Sequence, residues 1–278
     1  MRRVVELMDR FSPGTRIGDY VVDRVIDDEL GETYEATHTV LPRRARIDVM
    51  QTIFVGLRPI AERMMREASI IETLRHPGVP RVYEVGRLAD KRPWVASELV
   101  DGVPLSAFNQ PLPAAHVIGL LRDVAAILAY AHERGIVHRS IAPEAIIYDN
   151  GARGTPVCLL HWSRARVVNK SEVEVECADD VFALAVVAHA LLVEPVPALL
   201  TRLLDDMMAP EPAHRPTAAE VSRRAMLIIE SFARDTAVED WLATRDVNTR
   251  WTPVLGVASS PELPRPPGID ISVSKPRT

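Results

Sequence analysis

Lysine is nearly missing from this chain. Of its 33 basic residues only Lys91, Lys170 and Lys275 are lysines, and none stands between residues 1 and 90. Chemistry that needs an ε-ammonium on an early strand is thereby excluded. Cysteine is as scarce. Cys158 and Cys177 are the only two, too few for a disulfide framework, so a reducing cytoplasm is the expected setting. There is no basic excess: the formal net charge is −5, which lacks the electrostatic footprint of a nucleic-acid binder. No apolar run of about 18 residues stands out, so no membrane span is expected. The first 14 residues, interrupted by Glu6 and Asp9, make a poor secretory signal.

What is present suffices for one large domain or two lobes with their own cores, at 278 residues and 47% hydrophobic. Short strand-like runs open the chain: Tyr20 to Ile26, Thr33 to Val40 and Ala45 to Phe54. A helical pattern follows from Pro59 to Arg75, ended by His76-Pro77-Gly78. Val79 to Val85 and Pro93 to Leu99 read as two more strands around the turn Ala89-Asp90-Lys91. The second half is mainly helical. Pro113 to Glu133 carries an apolar stripe and is followed by Gly135, placed as a helix-ending glycine. Asp179 to Leu192 is almost wholly apolar, which predicts central burial. Thr217-Ala218-Ala219-Glu220 fits a capping box that opens a helix to about Phe232. Beyond Trp251 the chain is rich in Pro and Ser and lacks periodicity, as a disordered tail does.

One stretch carries the most information: Ile136-Val137-His138-Arg139-Ser140-Ile141-Ala142-Pro143-Glu144-Ala145-Ile146-Ile147. It resembles the catalytic loop of serine/threonine protein kinases, HRDLKPENIL. Other segments agree, in the same order as in that family. Pro13-Gly14-Thr15-Arg16-Ile17-Gly18-Asp19-Tyr20 is similar to the entry of a bacterial kinase domain. Arg66-Glu67-Ala68 to Leu74-Arg75-His76-Pro77 resembles the regulatory helix of the small lobe and its exit. Ala131-His132-Glu133-Arg134-Gly135 leads into the loop as the family does, and Pro210-Glu211-Pro212-Ala213-His214-Arg215-Pro216-Thr217 resembles a late-domain motif. The resemblance implies an α+β, bilobal protein-kinase-like fold: an antiparallel small lobe with one helix, then a mainly helical lobe with a shortened activation segment. It implies an extension at 1–13, a small lobe at 14–100, a large lobe at 101–232 and a helical or disordered tail at 233–278.

The family's reactive positions are replaced. Ser140 stands in place of the catalytic aspartate, Ala142 of a lysine and Ala145 of the metal-binding asparagine. Glycines of the phosphate loop align with Ile26, Asp28 and Gly31, so only the last remains. Carboxylates at 27 to 29 either repel phosphate or form a solvated hairpin; both readings disfavour ATP. Asp48 replaces the strand lysine that holds the α- and β-phosphates, and Arg46 stands in the adenine position. Residues i and i+2 of a strand share a face. The two charges thus either enter the cleft, with Arg46 paired to Asp48 or Glu67, or are solvated on a surface strand. Glu67 matches the helix glutamate that bonds the missing lysine. His161-Trp162-Ser163 replaces the metal-binding DFG, leaving no carboxylate for magnesium, and no metal is expected. Trp162 is expected to pack between the lobes. Retained structural residues are Glu67, His138, Arg139, Asp180 and Arg215. Asp180 resembles the aspartate that opens a central helix and supports the catalytic-loop backbone. Arg215 resembles the buried arginine whose partner here would be Glu174 or Glu176.

These losses together predict a pseudokinase with ATP and magnesium binding absent or weak, acting as a signalling scaffold or allosteric regulator. The implied partner is a protein, such as an active kinase or another signalling protein, with no nucleic acid and no membrane. The alternatives are a weak or atypical kinase, or another enzyme of the same cleft, with Ser140 and His138 as a nucleophile and base. Pro261 to Pro267 could form a polyproline II segment or be plain disordered tail.

Overall fold

The computed structural model describes residues 11–28, 31–108, 110–148, 154–169 and 173–233, and side chains in these stretches except at 27, 28, 31, 173, 174, 232 and 233. All belong to one compact unit, Met1–Arg245. The expected extension is described only from residue 11, and the tail beyond 233, the side chain of Asp28 and that of Glu174 lie outside the described residues.

A six-stranded sheet forms the first half, in the order β1-β2-β3-β4-β6-β5: β1 (Arg16–Ile17), β2 (Tyr20–Asp28), β3 (Gly31–His38), β4 (Arg44–Val49), β5 (Val82–Arg87) and β6 (Pro93–Glu98). Every neighbouring pair is antiparallel. Apolar side chains from one face build the small core, among them Tyr20, Val22, Tyr34, Ile47 and Trp94. On β4 the alternation is strict: Ala45, Ile47 and Val49 are buried while Arg44, Arg46 and Asp48 take the other face. The expected third strand, Ala45 to Phe54, ends early at Val49 and gives way to a 3-10 turn at Thr52–Phe54. Its partner strand begins at Pro93, which has no N–H with which to extend the ladder. The strand expected from Val79 likewise begins only at Val82, after Pro80.

Helix α1 (Arg58–Thr73) starts with Pro59 in its first turn and buries Ala68 and Ile70. It carries Glu67 towards the sheet.

The second half is helical: α2 (Ala114–His132), α3 (Val173–Leu191), α4 (Ala198–Met207) and α5 (Ala218–Ala233). Its core joins Val117, Leu121, Val124 and Leu128 of α2 to Leu184 and Ala188 of α3 and Val221 and Ala225 of α5. Gly135 follows α2 at φ +66°, where a side chain would strain the backbone. By length and composition α2 is apolar enough to cross a membrane, with a mean hydropathy of 1.5, although His116, Arg122 and Asp123 interrupt its apolar run. In the folded chain its apolar side chains instead supply the centre of the core.

Two expectations about α3 are corrected. It begins at Val173, not Asp179, because Val173 to Ala178 contains no glycine or proline to delay it. Asp180 therefore sits two turns inside the helix rather than at its opening. Nor is the helix buried all round: Phe182 and Val186 are exposed. At the start of α5, Thr217 Oγ1 accepts the Glu220 amide at 3.2 Å, while the Glu220 carboxylate bonds Arg223. Only half of the expected capping box forms. Thr217→Ala is expected to lower unfolding stability by about 1 kcal/mol in urea titration. An unchanged midpoint would show that the cap contributes nothing.

Short strands hold the loops of this half. β7 (Val103–Pro104), β9 (Ile146–Tyr148) and β10 (Val157–Leu159) make one small sheet, and β8 (Ile136–Val137) pairs with β11 (Arg166–Val167). Residues 138–145 lie between β8 and β9, and 161–164 follow β10. These two segments and the outer face of β4 make the site.

Candidate functional site

Strand register decides what stands on the β4 face. Thr33 lies opposite Asp48, and Glu35 opposite Arg46. Arg46 reaches along its own strand to Asp48: Nε is 3.1 and 3.0 Å from the two carboxylate oxygens, and a terminal nitrogen is 2.9 Å from Oδ1. Thr33 Oγ1 donates to the same Oδ1 at 2.7 Å. A guanidinium gripping both oxygens is the strong form of a charge-assisted hydrogen bond. Both charged groups are half-buried, so of the two readings of the strand the paired one holds.

Glu67 faces this pair from α1. Its carboxyl has no hydrogen-bond or ion-pair partner among the described residues. Burial first, and the Asp48 charge second, push its pKa up to about 7, against the milder pull of Arg63 and Arg46. Two carboxylates thus meet where the resemblance calls for a lysine and a glutamate. Arg46 neutralises Asp48 and leaves Glu67 uncompensated. Arg63 Nε donates to the Ser163 carbonyl at 3.0 Å and ties α1 to the turn after β10.

The loop after β8 is organised by one buried carboxylate. Asp180 is 1% exposed. Its Oδ2 accepts the His138 amide at 2.8 Å and its Oδ1 the Arg139 amide at 2.7 Å. His132 Nε2 is 3.0 Å from Oδ2. Arg139 takes φ +63°, a left-handed conformation that costs a non-glycine residue about 1 kcal/mol, and the bond from its amide to Asp180 holds it there.

His138 is fully buried. Its Nδ1 accepts the Ser140 amide at 3.2 Å and its Nε2 faces the Leu160 carbonyl at 2.8 Å. An amide only donates and a carbonyl only accepts, so the ring is neutral with its proton on Nε2. Burial, outweighing the Asp180 charge, pushes its pKa down to about 4. Both ring nitrogens are occupied by backbone groups, and neither takes the Ser140 hydroxyl. The nucleophile-and-base alternative for Ser140 and His138 is corrected on that ground. Trp162 packs edge-on to the His138 ring at 4.5 Å, and its indole donates to the Leu159 carbonyl at 2.8 Å. It belongs to the helical core, with its own 3-10 turn (Trp162–Arg164) against α1.

His161 takes φ +60° and is exposed. Ala145 is buried and Ala142 half-buried; neither has a side chain that could meet a metal. No cluster of three metal-ligating side chains occurs among the described residues. Ile26 is half-buried at the end of the described part of the β2 side chains.

The ion pairs beyond the loop differ from expectation. Glu176 lies 2.7 Å from Arg166 and 3.6 Å from Arg139, and is not the partner of Arg215. Arg215 bonds Asp179 at 2.9 Å and the carbonyls of Ala209 and Ala178 at 2.9 and 3.2 Å, and it lies over the Phe182 ring. The early start of α3 turns Asp179 towards Arg215. Thr33, His132 and Asp179 were not singled out from sequence. Their roles come from strand register and helix phase; His132 stands in the motif that leads into the loop, but that motif does not reveal its bond to Asp180.

Comparison with known proteins sets this geometry beside that of protein kinases. The family described as protein tyrosine and serine/threonine kinase matches residues 29–158. Among curated relatives, the serine/threonine-protein kinase pkn2 of Myxococcus xanthus is 32% identical over 141 residues, which is 50% of this chain and 17% of that protein. PknI of Mycobacterium tuberculosis is 28% identical over 153 residues, 53% of this chain and 26% of that protein. The chain thus matches about a sixth to a quarter of the length of those relatives. A crystal structure of the M. tuberculosis PknI kinase domain superposes with a TM-score of 0.63 at 23% identity, covering 78% of this chain and 99% of that domain. The chain carries a bacterial-type serine/threonine protein-kinase-like domain, with the bilobal α+β fold that its motifs imply.

Proposed function

We propose that this chain is a catalytically inactive kinase-like protein, a pseudokinase that works through contacts with other proteins as a signalling scaffold or allosteric regulator. One observation carries the reading: Arg46 closes on Asp48 at the position of the phosphate-binding lysine, and Glu67 opposes it with no ion-pair partner among the described residues. Phosphoryl transfer depends on positioning and on neutralising phosphate charge. Here the nearest available group to that task is an anion.

The residues present do not fit a magnesium nucleotide. Asp48 would repel the phosphates, Arg46 is already held, and His161, Ala145 and Ser140 supply no hard oxygen pair for the ion. Ser140 also leaves the loop without a carboxylate base. What the loop keeps is the backbone scaffold: Asp180, His138 and the left-handed Arg139. A domain that retains its shape without its reactive groups has surfaces left to use. The reading includes a cytoplasmic location and a protein partner of the signalling type, such as an active kinase.

Purified full chain incubated with ATP and either magnesium or manganese is expected to transfer no phosphate to itself or to a generic protein substrate. Incorporation above a heat-killed control would overturn the reading. The melting temperature is also expected to stay fixed on adding ATP or ADP. A ligand at one hundred times its Kd would contribute about 2.7 kcal/mol, so a clear rise would refute the nucleotide part.

A further inference from the structure

The first half of the chain holds a groove of about 820 Å³, within the size range of ligand pockets. Met50, Val55 and Leu57 from the link between β4 and α1 line it, with Ala61 and Met65 of α1 and Arg92 just before β6. Val55 and Leu57 are 49% and 50% exposed, and Ile53 beside them in sequence 66%. Apolar side chains gathered at a concave surface mark a place where something docks.

The beginning of the described chain indicates what docks there. Phe11 packs on Tyr34 with ring centroids 5.6 Å apart, and its amide donates to the Tyr34 hydroxyl at 3.0 Å. The Arg92 guanidinium lies 5.7 Å over the Phe11 ring and donates to the Met50 carbonyl at 3.2 Å. One side chain thus separates Phe11 from the groove. The ten residues before it, Met1-Arg2-Arg3-Val4-Val5-Glu6-Leu7-Met8-Asp9-Arg10, lie outside the described residues. Val4, Leu7, Met8 and Phe11 are spaced i, i+3, i+4 and i+7, as one face of a helix requires. Glu6 and Arg10 are spaced for an i, i+4 ion pair on the opposite face. A helix this short is marginal in water by itself, and persists only where its apolar face is covered. Ten residues span about 15 Å at 1.5 Å per residue, and the stripe's last member, Phe11, is already seated beside the groove. We propose that residues 1–10 occupy this groove within the same chain, as an amphipathic helix whose Val4, Leu7 and Met8 cover Leu57 and Met65. The chain thereby closes a docking face of its own small lobe.

Alkylation of a cysteine placed at residue 57 of the full chain tests this. The native thiols leave a quiet background. Cys158 is buried, and burial pushes the Cys177 pKa up to about 12, whereas the thiolate is the reactive form. Leu57→Cys alone is expected to react about tenfold more slowly than Leu57→Cys combined with Leu7→Asp, because the cover must open before the reagent enters. Val40→Cys, in the exposed turn at the opposite end of β4, is expected to react alike with and without Leu7→Asp. That control and an unchanged circular dichroism spectrum separate an uncovered groove from a lost fold. The protection is expected to be the same at every protein concentration. Equal rates at residue 57 with and without Leu7→Asp overturn the proposal, because the groove then stands open for a different protein. Protection that grows with concentration overturns it as well, because the cover then comes from a second copy.

Discussion

Asp180→Ala is expected to remove about 3–5 kcal/mol of folding stability, enough to unfold a marginal domain. The magnitude follows from what the carboxylate does. It is 1% exposed and accepts two backbone amides and one imidazole N–H. Each buried donor left without an acceptor costs about 1–3 kcal/mol, and the costs overlap because the donors share one loop. Arg139 then loses the bond that holds its left-handed conformation. Asp180→Asn keeps one acceptor oxygen and is expected to fall between the parent and alanine. The check is urea unfolding followed by circular dichroism. A drop of less than about 1 kcal/mol for the alanine variant would show that the loop is held by something else. Ser140→Ala, two residues from the same scaffold, is expected to change stability by no more than about 0.5 kcal/mol, since its contribution is a main-chain amide to His138. The contrast between the two separates a residue that shapes the loop from one that merely occupies the family's reactive position.

What could be read from the sequence divides along a physical line. Motifs whose meaning is local were legible. Pro77 and Gly135 ended helices where expected, Thr217 capped one, and the order of strands and helices gave the kinase-like fold. The i, i+2 periodicity of a strand is enough by itself to put Arg46 and Asp48 on one face. Features set by distant packing were not legible. The end of β4 depends on a proline in another strand. The partner of Arg215 depends on where α3 begins, seven residues before Asp180, and helix propensity alone does not settle that start. His132 reaches Asp180 across 48 positions. The exposed side of α3 was missed because an apolar helix reads as buried, and composition cannot tell which neighbours are present to cover it.

Glu67→Gln is expected to make the chain more stable at pH 8 by about 2–3 kcal/mol, an unusual direction for a substitution in a cleft. Above pH 7 the carboxyl is ionised in both folded and unfolded states, and the folded state bears the cost of burial and of Asp48. That cost is a pKa raised from 4.5 to about 7, worth about 3 kcal/mol. As pH falls through 7, the folded chain binds a proton that the unfolded chain does not, so stability rises until pH 4.5. His138 acts in the opposite sense. Its pKa is lowered from 6.5 to about 4, so below pH 6.5 the unfolded chain takes the proton and stability falls. Between pH 6.5 and 4.5 the two slopes oppose each other, and the parent's stability is expected to be nearly flat in that window. Glutamine removes one slope. The variant should gain over the parent at pH 8, lose that gain towards pH 4.5, and show the His138 decline from pH 6.5 downward. Urea midpoints of parent and variant at pH 8, 6.5, 5.5 and 4.5 check this. A difference that does not change with pH would mean that Glu67 is ordinary and solvated. A difference that shrinks with acid would tie the cost to the carboxylate pair itself. Where a lysine would have neutralised both acids, Arg46 neutralises one, and the uncompensated charge on the other is the measurable trace of that exchange.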